Sequence, residues 1–151
     1  MPNYRFSDAK RTPSDSQASF PSDLDVAKEG DVVLVSPIQG AGAQPSTGRV
    51  FQWRSDGAYK VTAVGVLAGT PGNGAGNIIG DCNVGGTSAF AATADRPSQT
   101  ANTASADQGV EAVTTAAAAV AKGDIVTLDL DDNGAAGTRS VSVWARLSRQ
   151  V

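Results

Sequence analysis

The stretch that most limits what this chain can fold into is Arg49–Gly69, RVFQWRSDGAYKVTAVGVLAG, where β-branched and aromatic residues crowd into two runs separated by Ser55-Asp56-Gly57. Such residues suit a pleated, half-buried surface, and Asp-Gly between two such runs signals a hairpin. The pattern predicts two strands joined at that turn. Val50, Phe51, Trp53, Tyr59, Val61, Val64 and Val66 supply most of the bulk available to a core. Gly65 and Gly69, inside the second run, mark a bulge or a close backbone approach.

The rest of the chain after Val26 punctuates short apolar runs with glycine. KEGDVVLVSP has a Gly-Asp turn followed by a β-branched run closed by Pro37, and predicts a strand. DIVTLDLDDNGAAGTRSVSVWARL predicts a strand, a turn at Asp132-Asn133-Gly134 and a second strand. Within that second strand Val141, Val143, Ala145 and Leu147 alternate with Ser140, Ser142, Trp144 and Arg146, so it has an apolar face and a polar one. Between these regions NVGGTSAFAAT is the best strand candidate in a Gly-rich stretch. The run VEAVTTAAAAVAKGD is ambiguous, its alanines favouring helix and its Val and Thr residues strand, and the balance favours strand over 110–122. VAKEGDVVL at Val26–Leu34 is echoed by VAKGDIVTL at Val120–Leu128, with Glu29 inserted between the Lys and the Gly of the first. In both, Gly30 or Gly123 permits a tight entry turn and Asp31 or Asp124 is placed to cap its amides. Two copies fit two similar hairpins in one body. The fold expected is all-β, a small β-sandwich or β-barrel with an extended N-terminal arm.

The arm is residues 1–25, MPNYRFSDAKRTPSDSQASFPSDLD, and the β-rich body is residues 26–151. The arm has three prolines, many serines and no sustained period, too little apolar surface to fold on itself. Its large side chains Tyr4, Phe6 and Phe20 are spaced as anchors for pockets on another surface, and are the candidate partner-binding residues.

Several chemistries are disfavoured by residue type. The chain has no histidine, which removes Ser-His-Asp and Cys-His nucleophilic systems and every His-containing metal site. Cys82, the one cysteine, cannot form an internal disulfide, and GDCNVGG offers it no adjacent base. Asp129, Asp131 and Asn133, with Gly134 next, match the opening of a calcium loop, but the twelfth position is Ser140 rather than a bidentate Glu, so a solvated turn is the expectation. TPGNGAGNIIGD is Gly-rich without the Lys-Ser/Thr of a phosphate loop. A net charge of −3 with scattered Lys and Arg disfavours nucleic acid as a partner. No segment reads as a signal peptide or a membrane span. The expectation is a protein that is not an enzyme and needs no metal or cofactor.

At KGDIVTLDLDDNG, at YKVTAVGVLAG and along the alanine-rich approach to Gly123, the chain resembles the small capsid decoration (cement) proteins of tailed bacteriophages. In that family a Gly-Asp turn opens a valine-rich strand, a Val-Gly-Val segment lies in mid-chain and a Gly-containing hairpin follows. The resemblance covers about half the chain. It implies a homotrimer on the outer surface of the virion, made in the host cytoplasm, that binds the major capsid protein and reinforces the lattice, often through a terminal arm. The length of the arm and of the Gly/Ala/Thr/Ser middle depart from the shortest members. A β-sandwich adhesion or glycan-binding module of a fibre or tail is the alternative; against it, Trp53 and Trp144 stand apart in sequence where glycan sites cluster aromatics.

Overall fold

A computed structural model describes residues 30–150, apart from 71, 73–75, 101–108, 114–117 and 135. The expected arm, with Tyr4, Phe6 and Phe20, therefore lies outside the described residues. The described chain is all-β, two curled antiparallel sheets facing each other as a half-barrel. Its strands are β1 (Val32–Val35), β2 (Gly48–Arg54), β3 (Tyr59–Thr70), β4 (Asn77–Val84), β5 (Thr87–Ser88), β6 (Ser98–Thr100), β7 (Gly109–Ala112), β8 (Ala119–Val120), β9 (Ile125–Asn133) and β10 (Arg139–Arg149). A front sheet runs β1-β10-β3-β7, with β8 also on β3. A back sheet runs β2-β9-β4-β5, with β6 also on β4.

The chain changes sheet at most of its turns, which corrects the hairpin reading. β2 and β3 flank Ser55-Asp56-Gly57 but do not pair: β2 lies on β9 and β3 on β10. Gly57 does not take the positive φ that a two-residue hairpin turn of the Asp-Gly type demands. Instead the turn arches between sheets and is tied to a second arch at Ala121–Asp124. Ser55 N–H donates to the Asp124 carbonyl at 2.9 Å, and Gly123 N–H donates to the Ser55 carbonyl at 2.9 Å. β9 and β10 likewise belong to opposite sheets, so the echoed segments do not open two hairpins either. Between neighbouring strands, only β4 and β5, across Gly85-Gly86, pair as a hairpin among the described residues.

The echo itself has a partly shared geometry. Gly30 (φ +99°) and Gly123 (φ +91°) both take the left-handed conformation that glycine adopts without steric penalty. Asp124 caps its own turn, accepting from Ala121 N–H at 2.8 Å. The Asp31 carboxylate accepts from Arg149 N–H at 3.3 Å, pinning the start of β1 to the end of β10. NVGGTSAFAAT is only marginally strand: the long strand here is β4, Asn77–Val84, whose run Ile78-Ile79 the Gly-rich surroundings disguise. In the alanine-rich run, Gly109–Ala112 and Ala119–Val120 are strands, as the Val and Thr content favours, and residues 114–117 lie outside the described set.

The core is built of small side chains at alternate positions. Val141, Val143, Ala145 and Leu147 point inward from β10 and face Ala68, Val66, Val64 and Val61 of β3, their register partners. From the back sheet Val126, Leu128 and Leu130 of β9 and Ile78 and Cys82 of β4 close on them. Phe51 and Trp53 pack at the edge, the Trp53 ring meeting Tyr59 edge-on at 5.5 Å between centroids. One glycine sets the distance between the sheets. A Cβ built on Gly80 would lie 3.1 Å from a Val143 methyl and 3.2 Å from the Val66 Cβ, so β4 approaches the front sheet closely there. Gly65 is the other close approach: the Trp144 ring lies against its backbone on the outward face of the front sheet. Gly80→Val overfills the space between the sheets, and is expected to cost about 1–3 kcal/mol in denaturant unfolding. A variant as stable as the parent chain would show that the sheets part there without penalty.

Candidate partner-binding surface

The two outward faces differ in kind. On the back sheet Arg49, Gln52 and Arg54 of β2, Asp129 and Asp131 of β9, and Asp81 and Asn83 of β4 belong to the side away from the core, the alternation being interrupted by bulges at Val50 and Asp131. This polar face is internally bonded. The Arg49 guanidinium donates to Gln52 Oε1 at 3.0 Å, and Asn83 Nδ2 donates to Asp129 Oδ2 at 2.7 Å. The segment after β5 folds back along β4, with Ala89 N–H on the Cys82 carbonyl and the Pro97 carbonyl on Gly80 N–H, and brings Arg96 over the acids.

Asp81, not singled out in the sequence, is the centre of that arrangement. It is 2% exposed, accepts from Ser88 Oγ at 2.9 Å and from Cys82 N–H at 2.7 Å, and has Arg96 Nε 3.3 Å away. Arg96 Nη1 reaches Asp131 at 2.5 Å, so one guanidinium joins the two carboxylates. Burial pushes the Asp81 carboxyl above the usual carboxylate range, against the opposing pull of Ser88, Arg96 and the Cys82 amide, and the charge on Asp131 adds to the rise. An acid inside the strand run NIIGDCNV was the available signal, since a charge on a mostly buried strand requires partners.

The chemistry of this face is that of a closed ion-pair network. Asp81 and Asp131 share one arginine rather than flanking an open site, which is not how paired acids cleave a glycosidic bond. Cys82 points into the core with no exposure, and burial, then the charges on Asp81 and Asp129, push its thiol up to about 12, far from a thiolate nucleophile. The residues of the incomplete calcium loop are separately engaged: Asp131 by Arg96, Asp132 Oδ1 by Gly134 N–H at 3.0 Å, and Asn133 Nδ2 by the Pro45 carbonyl at 2.8 Å. Among the described residues no group of three or more His, Cys, Asp or Glu side chains is placed to hold a metal ion.

The front sheet instead shows apolar side chains at its margin. Val33 and Val35 of β1 are each 54% exposed, and Ile38 just beyond is 66% exposed. Val35 lies opposite Trp144 and Val33 opposite Arg146, so both valines belong to the outward face on which the half-buried Trp144 ring sits. β1 is also an edge strand, paired only with β10 among the described residues. These residues were read from the sequence as a strand but not as a surface: a short Val-Val-Leu-Val run does not reveal which side lacks a cover. Of the candidate anchors Tyr4, Phe6 and Phe20 the structure says nothing, as they precede Gly30.

Searches of protein-family models, of curated proteins and of solved structures each returned no match. Among the described residues no helix is long and apolar enough to cross a membrane.

Two outcomes follow. Because the folded carboxyl of Asp81 holds its proton to higher pH than the unfolded one, near 3.8, the folded state binds the extra proton just above that value. Stability contributed through this group therefore falls as pH rises through the window and is flat above the folded value. For Asp81→Asn, the difference in Tm, variant minus parent, should grow with pH across that window; a difference independent of pH would contradict the assignment. Calcium should be dispensable, with melting curves superimposing in calcium and in chelator; a chelator-induced fall in Tm lost on Asp129→Ala would reverse this.

Proposed function

We propose that this chain is a virion structural protein, a decoration or cement protein that binds the outer surface of a capsid and reinforces its lattice without chemical turnover. The observation that carries the reading is the contrast between the two faces. On the polar face Arg96 pairs with Asp81 and Asp131, while the exposed apolar side chains gather on β1 and at Ile38, beside the point where residues 1–29 join the body. Exposed apolar side chains grouped at one margin mark association rather than catalysis. The major capsid protein as partner, and a homotrimer as the attached form, come from the resemblance at KGDIVTLDLDDNG and YKVTAVGVLAG.

In this reading Tyr4, Phe6 and Phe20 fill pockets on the capsid, and Pro2, Pro13 and Pro21 restrict the free chain and so reduce the entropy lost on binding. Several copies held together would multiply the effect of each weak contact. The glycan-binding alternative finds less support, because Trp53 is packed against the core and Tyr59.

Co-sedimentation with capsids lacking the protein tests the proposal. The full chain should sediment with capsids, and the triple variant Tyr4→Ala/Phe6→Ala/Phe20→Ala should keep the parent's melting curve while its apparent affinity drops at least tenfold. Failure of the full chain to bind any assembled capsid, together with binding on a glycan array, would replace this reading with the adhesion one.

A further inference from the structure

β1 has the character of an interior strand left at an edge. Ser36 N–H donates to the Val143 carbonyl at 2.8 Å, so in the alternating antiparallel pattern Ser36, Leu34 and Val32 bond to β10, and Val33 and Val35 turn their N–H and C=O groups away from it. The same two residues carry the exposed side chains. Val32–Val35 contains no charge, no proline and no bulge, the devices that keep an edge from recruiting another strand.

The chain that precedes β1 has what β1 lacks. Twenty-nine residues lie outside the described set at this end, and the last of them run straight into Gly30, whose positive φ starts the turn into β1. Asp23-Leu24-Asp25-Val26-Ala27-Lys28 places acids and apolar residues alternately, and Pro21, which has no N–H to donate, stands before it. Acids on one side, a lysine and a flanking proline are the marks of a protected outermost strand.

We propose that residues 23–28 of the same chain dock on the free edge of β1 as an antiparallel strand, turning through Glu29-Gly30. That register sets Val26 against Val33 and Leu24 against Val35, covering both exposed valines, and uses the outward backbone groups of Val33 and Val35. It brings Pro21 level with Ile38, so that Phe20 and the residues before it leave the body at the end of the front sheet where Ile38 lies. The pairing is internal to one chain, and of the exposed apolar residues at this margin it leaves Ile38, with the chain before Pro21, for the attachment proposed above.

Nuclear magnetic resonance on the full chain, without capsid, tests it. The Asp25–Leu34 pair is the non-hydrogen-bonded one in this register, so a cross-peak between their Hα protons is expected, with the Val33 and Val35 amides protected from exchange at least tenfold over a free amide. In full-length Leu24→Asp/Val26→Asp that protection should vanish while the amides of β10 keep theirs. Unprotected Val33 and Val35 amides in the parent chain would overturn the proposal. So would a cross-peak that appears only between differently labelled copies, which would assign the edge to a second molecule. Because the samples hold no capsid, this result and the sedimentation result stand or fall separately.

Discussion

The close facing of two sheets through small side chains is the constraint on which this structure rests. With aromatics at 5% of the chain, burial comes from valine, alanine and leucine, each contributing about 1–3 kcal/mol or less when removed from water. Small side chains fill the interior only if the sheets come close, and Gly80 under Val66 and Val143 lets them. The closeness has polar consequences. The Gln99 side chain, 1% exposed, reaches from β6 in the back sheet to accept from Ala68 N–H of β3 in the front sheet at 2.7 Å, satisfying a backbone group beyond the last β7 pairing. A buried amide placed there links the layers as well as filling space.

How much of this was legible depended on whether the signal was local. The alternation in Ser140–Leu147 places every inward and outward residue of that strand correctly, because period two is a property of one strand alone. The special backbone at Gly30 and Gly123 and the close approach at Gly65 were likewise readable from position and residue type. What failed was pairing. Asp-Gly between two β-rich runs carries the same signature whether the chain returns to its own sheet or crosses to the other, and here Ser55 finds its partners in Gly123 and Asp124, far along the chain. Asp81 was overlooked for a similar reason: its meaning depends on Arg96 and Asp131 arriving from other segments.

For function the contrast between faces matters more than any single residue. A carboxylate buried like Asp81 is costly unless paired, and Arg96 supplies that pairing while also holding down the segment that covers β4. On the back face Arg96, Asp81 and Asp131 are thus engaged with one another. The front margin differs in its exposed apolar side chains Val33, Val35 and Ile38, and it is there that the N-terminal residues join. The decoration role proposed above needs one region that attaches and another that stays inert towards solvent, and the contrast between the faces is what supports that proposal.

The repeated passage of the chain between layers also bears on how the molecule forms. Since β2 and β3, β8 and β9, and β9 and β10 are consecutive yet sit in opposite sheets, neither sheet can be assembled from adjacent segments and then docked. Nearly every strand must wait for a partner distant in sequence, as β1 waits for β10. Loop-closure entropy is then paid before packing returns it, which places such a chain among slow, highly cooperative folders. The same interleaving ties the layers together, because strands that follow one another in the chain, such as β2 and β3 or β9 and β10, are anchored in different sheets.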